Sequence, residues 1–252
     1  MKISVIILTK NEEQNLGRVI ESANFCDEII VIDDFSDDKT IELAKELGAT
    51  VYERKLDGNF AKQRNFAMEK AKGEWLFFLD ADEEVTKELI NEIKNAVAAS
   101  EKTKEAAFYI KRRDFWWGRE LKHGEVSKVR NRGLIRLIKR NSGSWLGSVH
   151  EIFQTNSSVG RLKNFINHYP HPTVKTFLED INFYSTLRAK ELFSKGKKVS
   201  LLEILSYPLG KFVSNYFIKQ GFLDGPAGFA YAFLMSFHSF LVRAKLYQYS
   251  KL

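Results

Sequence analysis

Four acids crowd the five positions Asp80-Ala81-Asp82-Glu83-Glu84, directly after the uncharged run Trp75-Leu76-Phe77-Phe78-Leu79. Two aspartates one residue apart can turn their carboxylates toward a single hard cation, and their oxygens suit Mg2+ or Mn2+. The same acids have a second use, because Asp and Glu are favoured at a helix N-terminus by its dipole. Two further polar clusters lie upstream. Thr9-Lys10-Asn11-Glu12 follows the apolar run Ile3–Leu8, and Asp33-Asp34-Phe35-Ser36-Asp37-Asp38 follows Glu28–Ile32. Val85 stands where a calcium loop starting at Asp80 needs glycine, which excludes an EF-hand. No G-x-G-x-x-G follows the first apolar run and no G-x-x-x-x-G-K-[ST] occurs, so neither the dinucleotide fingerprint nor the P-loop is present. What remains is a nucleotide held by side-chain acids, with a metal on its diphosphate.

The elements that must position these clusters follow from the hydrophobic pattern. Ile3–Leu8, Glu28–Ile32 and Trp75–Leu79 are short β-branched or apolar runs of the kind that form strands buried on both faces, and Ala49–Tyr52 is a further short strand. Between them, Leu16, Val19 and Ile20 recur at helical spacing after Asn11 and Gln14, which have capping-box spacing. Ile41, Ala44 and Leu47 mark a helix that Ser36 or Asp37 can cap and Gly48 can close, and a third helix is expected over Asn59–Ala71. Alternating strands and helices imply a parallel sheet with right-handed crossovers. All three polar clusters then fall at carboxyl ends of strands, where open α/β sheets bind ligands.

The chain of 252 residues is long enough for one large domain or a domain with an appendage, and its net charge of +7 favours anionic partners. A single cysteine, Cys26, excludes an internal disulfide framework and has no metal-ligand spacing, as expected in a reducing cytoplasm. Only a few apolar or small residues separate Lys2 from Thr9-Lys10-Asn11-Glu12, too few for a signal peptide.

Ile6-Ile7-Leu8-Thr9-Lys10-Asn11-Glu12, Val31-Ile32-Asp33-Asp34 through Lys39-Thr40, and Leu79-Asp80-Ala81-Asp82-Glu83 resemble the motifs of family 2 inverting glycosyltransferases of the GT-A fold. Gly73-Glu74-Trp75, Val149-His150-Glu151, Gly160-Arg161-Leu162-Lys163-Asn164 with His168-Tyr169, and Gly221-Phe222-Leu223-Asp224-Gly225 make the chain similar to the lipopolysaccharide-core β-glycosyltransferase branch. The resemblance implies an α/β fold with a mostly parallel central sheet flanked by helices. It also implies that Thr9, Glu12 and Asp33 hold the base and ribose of a donor nucleotide. Arg64, in Gln63-Arg64-Asn65, matches a basic position near that nucleotide. Asp80 and Asp82 match the metal motif, with Asp82 the direct ligand of Mg2+ or Mn2+, while Glu83 and Glu84 are left to open the helix through Leu89, Ile93 and Val97. A departing nucleoside diphosphate gains negative charge that a divalent ion and Arg64 would offset.

An inverting transfer needs one base for the acceptor hydroxyl. Downstream candidates are Asp114, Glu125 and Glu151, and Glu151 is preferred because it follows the irregular Gly143–Ser148 stretch, which could bring it over the site. His150 could ligate the metal or the donor phosphate. Members of the branch tend to carry Trp-x-Pro-Asp after the position of His123, where this chain has Val126-Ser127-Lys128-Val129-Arg130, which further favours Glu151. Phe108–Ile110 is expected to be a strand. Basic and aromatic residues interleave from Lys111 through Trp116, Trp117 and His123 to Arg140. Such a stretch can bind single-stranded nucleic acid, but beside a sugar-nucleotide site it reads as an acceptor groove, with no nucleic acid partner.

From Thr173 onward the pattern is helical. Phe177, Ile181, Tyr184, Leu187 and Leu192 suit an amphipathic helix, Val199–Ile218 is apolar but interrupted by Pro208 and Gly210, and Pro226–Val242 approaches the length of a membrane span. Helices lying on an anionic cytoplasmic leaflet are favoured over a span, with packing on the rest of the protein or on a second copy in a homo-oligomer as the alternative. The expected organisation is a catalytic domain over 1–172, its donor half in 1–100 and its acceptor side in 101–172, with a helical appendage over 173–252. The expected function is metal-dependent transfer of a hexose from a UDP-glucose-like donor to a lipid-linked or phosphorylated saccharide, such as lipopolysaccharide core, by an enzyme peripheral to the cytoplasmic membrane. Transfer to a polyprenyl phosphate, and a non-catalytic nucleotide-binding module at the membrane surface, are the alternatives.

Overall fold

The computed structural model describes residues 2–148 and 151–251. The chain divides into two compact units: residues up to Arg112 together with Arg132–His168, and Arg113–Asn131 together with the residues from Tyr169 on.

The first unit begins with β1 (Ile3–Thr9), α1 (Leu16–Ala23), β2 (Glu28–Asp33), α2 (Thr40–Glu46), β3 (Thr50–Glu53), α3 (Phe60–Lys70) and β4 (Trp75–Asp80). Strands β1 to β4 are parallel, in the order β3-β2-β1-β4. Both faces of β1, β2 and β4 are covered, whereas β3, at the sheet edge, buries none of its residues; the side-chain alternation divides the core in two. Ile3, Val5 and Ile7 join Leu16, Val19 and Ile20 of α1 on one side, whereas Ile6, Ile30, Ile32, Leu76 and Phe78 join Ala61 and Ala67 of α3 on the other. This double burial is why the strands read as unbroken apolar runs.

The sheet continues through β5 (Glu83–Val85), β6 (Glu105–Trp116), β8 (Leu134–Lys139) and β11 (Ser158–His168), which extend it in the order β4-β8-β6-β11-β5. Strand β8 is antiparallel to β4 and β6, and β11 is antiparallel to β5. Helix α4 (Lys87–Thr103) follows β5, and β9 (Gly143–Leu146) and β10 (Ile152–Thr155) form a separate antiparallel pair. A Cβ at Gly73 would lie 2.5 Å from Ser4 Oγ, which accepts a hydrogen bond from Gly73 N. Gly73-Glu74-Trp75 is thereby explained as a close strand entry.

Several local expectations are corrected. Asn11 and Gln14 do not cap α1, which starts at Leu16; Asn11 has φ +56° and its Oδ1 accepts from Asp37 N. Neither Ser36 nor Asp37 caps α2, whose first amide, Thr40 N, donates to Asp38. Glu83 and Glu84 do not open a helix: they pair with His168 and Asn167 as strand residues, and Thr86 caps α4 instead. Strand β6 runs well beyond Phe108–Ile110, because alternate residues find a buried side over most of its length.

In the second unit the end of β6 turns into β7 (Arg119–Leu121) through Trp117 and Gly118, both at positive φ, as a two-residue hairpin requires. A short helix α5 (Ser127–Arg132) leads out of this segment. Helix α6 (Val174–Ser194) starts at a capping box of Thr173 and Thr176, and α7 (Leu201–Val213) at one of Ser200 and Glu203. A π-turn (Ser214–Ile218) and a 3-10 turn (Gly221–Asp224) lead into α8 (Gly225–Tyr249). Trp116, Leu121, Phe177, Ile181, Ala227 and Leu234 form the core of this unit. A Cβ at Gly228 would sit 2.1 Å from Gly221 O, and buried Asp224 accepts from the amides of Lys122 and His123. The Gly221-to-Gly225 motif is therefore a packing device within this unit.

Candidate active site

Strand register brings the three polar clusters into line. Thr9 pairs with Asp33 and Leu8 with Asp80, so β1, β2 and β4 end side by side. Asp33 is fully buried. Its carboxylate accepts from Thr9 Oγ1 at 2.9 Å, from Ser36 N at 2.7 Å and from Ser36 Oγ at 2.6 Å. Three donors on one buried carboxylate fix its orientation. The loops after β1 and β2 are then laced together, with Asn11 N donating to Ser36 Oγ and Glu12 N to Thr40 Oγ1. Glu12 is drawn toward α1, where Asn15 Nδ2 donates to its Oε2 at 2.8 Å.

The third cluster centres on Asp80. Arg64 Nη2 donates to Asp80 Oδ1 at 3.0 Å and Arg136 grips both carboxylate oxygens. Arg136 Nη2 also donates to Glu83 Oε1 at 2.7 Å, and Arg112 Nη1 lies 3.7 Å from that oxygen. Glu83 closes the loop by accepting from Asp80 N at 3.0 Å. Burial opposes ionisation of Asp80, but Arg136 and Arg64 outweigh it and hold the carboxyl well below the usual range. Burial pushes Glu83 up, with Arg136 only partly opposing it. Arg136 resists its own burial because Asp80 and Glu83 raise its pKa.

Arg64 comes from α3, whose Gln63-Arg64-Asn65 each has a separate task. Gln63 exchanges hydrogen bonds with Arg54, and Asn65 holds the backbone of Trp145 through both Oδ1 and Nδ2. Arg64 lies over the rings of Phe78 and Trp145, 5.4 Å and 5.1 Å from their centroids. Its Nε donates to Glu151 Oε1 at 2.7 Å. Its Nη1 is buried and has no hydrogen-bond partner among the described residues. A buried guanidinium N–H without a partner suits an anionic ligand oxygen.

Asp82 and Asp80 differ in their partners. Asp82 Oδ2 lies 3.0 Å from His168 Nε2 at the end of β11. Burial opposes the Asp82 charge, and His168 more than compensates, lowering its pKa. Two ligands at about 2.1 Å from a divalent ion and at right angles to one another lie about 3.0 Å apart, so this carboxylate and imidazole fit two cis positions around Mg2+ or Mn2+. Among the described residues no three His, Cys, Asp or Glu side chains are gathered as a metal site. The remaining positions would fall to ligand oxygens and water. Asp80, with both oxygens on guanidinium groups, is a poorer ligand than Asp82. His150 lies outside the described residues.

Thr9 and Asp33 are thus brought together, as are Arg64, Asp80 and Glu151. Of the other base candidates, buried Asp114 and Glu125 belong to the second unit, and Glu125 accepts from Lys211 and Asn215. Sequence reading missed Arg136, Arg112, His168 and the buried role of Glu83. Arg136 had a signal: an arginine inside the apolar strand Leu134-Ile135-Arg136-Leu137-Ile138 must find an acid when buried.

Against known proteins, the model for Glycosyl transferase family 2 matches residues 4–163. An uncharacterized glycosyltransferase of Rickettsia typhi is 31% identical over 262 residues, covering 99% of this chain and 88% of the relative. The lipopolysaccharide core biosynthesis glycosyltransferase LpsC of Rhizobium meliloti is 30% identical, covering 98% of this chain and 93% of LpsC. Among solved structures, residues 1–349 of S. aureus TarS in complex with UDP align over 100% of this chain and 92% of that one, with TM-score 0.51 and 19% identity. That likeness is one of fold, and the fold is GT-A.

Proposed function

Because the chain belongs to glycosyl transferase family 2, we propose that it transfers a hexose, with inversion, from a UDP-glucose-like donor to a lipid-linked saccharide of the lipopolysaccharide-core kind. The observation that carries this reading is the single guanidinium of Arg64 joining Asp80 to Glu151 beside the buried Asp33 row. The likeness to LpsC supports the acceptor class.

In this reading Thr9, Glu12 and Asp33 hold the nucleoside. Arg64, through its remaining N–H, meets the diphosphate, and Asp80 keeps Arg64 and Arg136 in place. Asp82 and His168 would hold Mg2+ or Mn2+, which supplies positive charge to the leaving diphosphate. Glu151 takes the proton from the acceptor hydroxyl as its oxygen attacks the anomeric carbon and the bond to the diphosphate breaks. Residues 1–100 serve the donor and 101–172 the acceptor, with 173–252 an appendage at the cytoplasmic leaflet. The deciding experiment incubates the protein with a panel of sugar nucleotides and Mn2+, with and without lipid-linked core saccharide. Release of nucleotide coupled to extension of the saccharide is expected. Glycosylation of polyprenyl phosphate instead would reassign the acceptor, and no turnover of any donor would overturn the reading.

A further inference from the structure

Helix α7 buries none of its residues, although most of them are apolar. Leu201, Leu202, Leu205, Leu209 and Ile218 are each between 64% and 75% exposed. The patch continues through Phe217, Phe222 and Leu223, which are also exposed. A helix of a soluble protein turns its apolar stripe inward, and a contiguous exposed patch of this kind marks an interaction surface. The only acid in α7, Glu203, is committed to the capping box with Ser200.

Charge identifies what the patch meets. Lys195, Lys197 and Lys198 precede α7 and Lys219 follows the π-turn. The second unit carries sixteen Lys and Arg against eight Asp and Glu, whereas the first carries 23 against 24. The whole positive excess of the chain therefore lies in the unit that bears the apolar patch. A second copy would present the same positive charge and be repelled, while an anionic bilayer offers phosphates to the lysines and hydrocarbon to the leucines. Helix α8 satisfies the length and composition of a membrane span. However, it packs against α6 and α7, with Ala232, Leu234, Val242 and Leu246 buried, while Phe229, Phe233 and Phe237 remain exposed.

We infer that α7 and the turns through Leu223 form a membrane-docking face that lies in the headgroup region of an anionic bilayer, with α8 packed against α7. This deepens the proposed action on a lipid-linked acceptor and rests on that reading for its purpose, but docking itself requires neither donor nor acceptor.

The test is co-sedimentation of the full chain with vesicles of equimolar phosphatidylglycerol and phosphatidylethanolamine, and separately with phosphatidylcholine vesicles. Binding to the anionic vesicles is expected, at least about tenfold weaker on phosphatidylcholine and at least about tenfold weaker for Lys197→Glu/Lys198→Glu. Leu202→Glu/Leu205→Glu should lose binding by a similar factor with an unchanged melting curve, since both leucines are exposed. Equal binding to both vesicle types, or full binding by the leucine variant, overturns the inference. So does a wild-type dimer, seen by light scattering, that the leucine variant converts to monomer without any vesicle binding. Sugar transfer to lipid-linked core saccharide measured in parallel, across the sugar-nucleotide panel, separates the two readings: vesicle binding without transfer from any donor leaves docking intact and removes the transferase, and transfer without vesicle binding does the reverse.

Discussion

Arg64 Nε donates to Glu151 Oε1 at 2.7 Å across 87 positions of sequence. The same guanidinium reaches Asp80 with its Nη2 at 3.0 Å, so the carboxylate that holds Arg64 in place and the one proposed as base share a rigid planar fork. Asn65 fastens the Trp145 backbone to α3, and Phe60 N donates to Ser148 O at 3.0 Å. Trp145 and Ser148 are therefore fastened to the helix that carries Arg64, and Arg64 and Glu151 are joined by their own bond.

Glu151→Gln keeps an oxygen for Arg64 Nε but cannot take a proton. Turnover should fall by about 10²- to 10⁴-fold, the usual contribution of general base catalysis. UDP affinity by calorimetry should stay within about twofold, because a change in binding worth only a few tenths of a kcal/mol is expected. Near-normal turnover would remove Glu151 from the role of base.

Arg136→Met strands Glu83, which is fully buried, and frees Asp80 from its bidentate partner. Removing one partner of a buried ion pair typically costs about 3–5 kcal/mol. Urea unfolding should show a loss of that order, and adding Glu83→Gln should recover part of it. Additive losses in the double variant would mean that the two side chains do not act as a pair.

The parallel part of the sheet was legible because its central strands are buried on both faces, so Ile3–Leu8 and Trp75–Leu79 stand out as unbroken apolar runs. The Thr9, Asp33 and Asp80 alignment followed from that. The fate of Glu83 did not. Its neighbours in sequence are acids, and only β11 pairing beside it, together with Arg136 and Arg112 from distant strands, makes it an internal residue. His168 was equally hidden, since its meeting with Asp82 depends on an antiparallel strand far along the chain. Helix α8 shows the opposite difficulty: its apolar sequence fits a bilayer or a protein interior, and packing by α6 and α7 decides for the interior on one side.

The Asp82 carboxyl has its pKa lowered, with burial opposing and His168 prevailing. A group whose folded pKa lies below its unfolded value stabilises the fold above the unfolded pKa, about 3.9 for Asp, and loses that contribution as pH falls through the folded value. Wild-type stability should therefore drop more steeply than that of Asp82→Asn as the pH is lowered from about 5 through the ordinary Asp range. Urea midpoints across that range check the sign. A steeper acid loss in Asp82→Asn than in wild type would contradict the assignment.

Asp82 and His168 also make a prediction that needs no turnover. If they hold the divalent ion, Mn2+ at about 100 times its Kd should stabilise the wild-type protein by about 2.7 kcal/mol, since only the folded chain brings the two ligands together. For a protein of this size that corresponds to a rise in melting temperature of roughly 5–10 °C. Asp82→Ala and His168→Ala should each abolish most of the rise, whereas Asp80→Asn, whose oxygens already face Arg64 and Arg136, should keep most of it. The Asp80 variant separates this arrangement from one in which both aspartates bind the ion equally: equal loss in Asp80→Asn and Asp82→Ala would assign the metal to the aspartate pair and return His168 to a partner in a buried salt bridge.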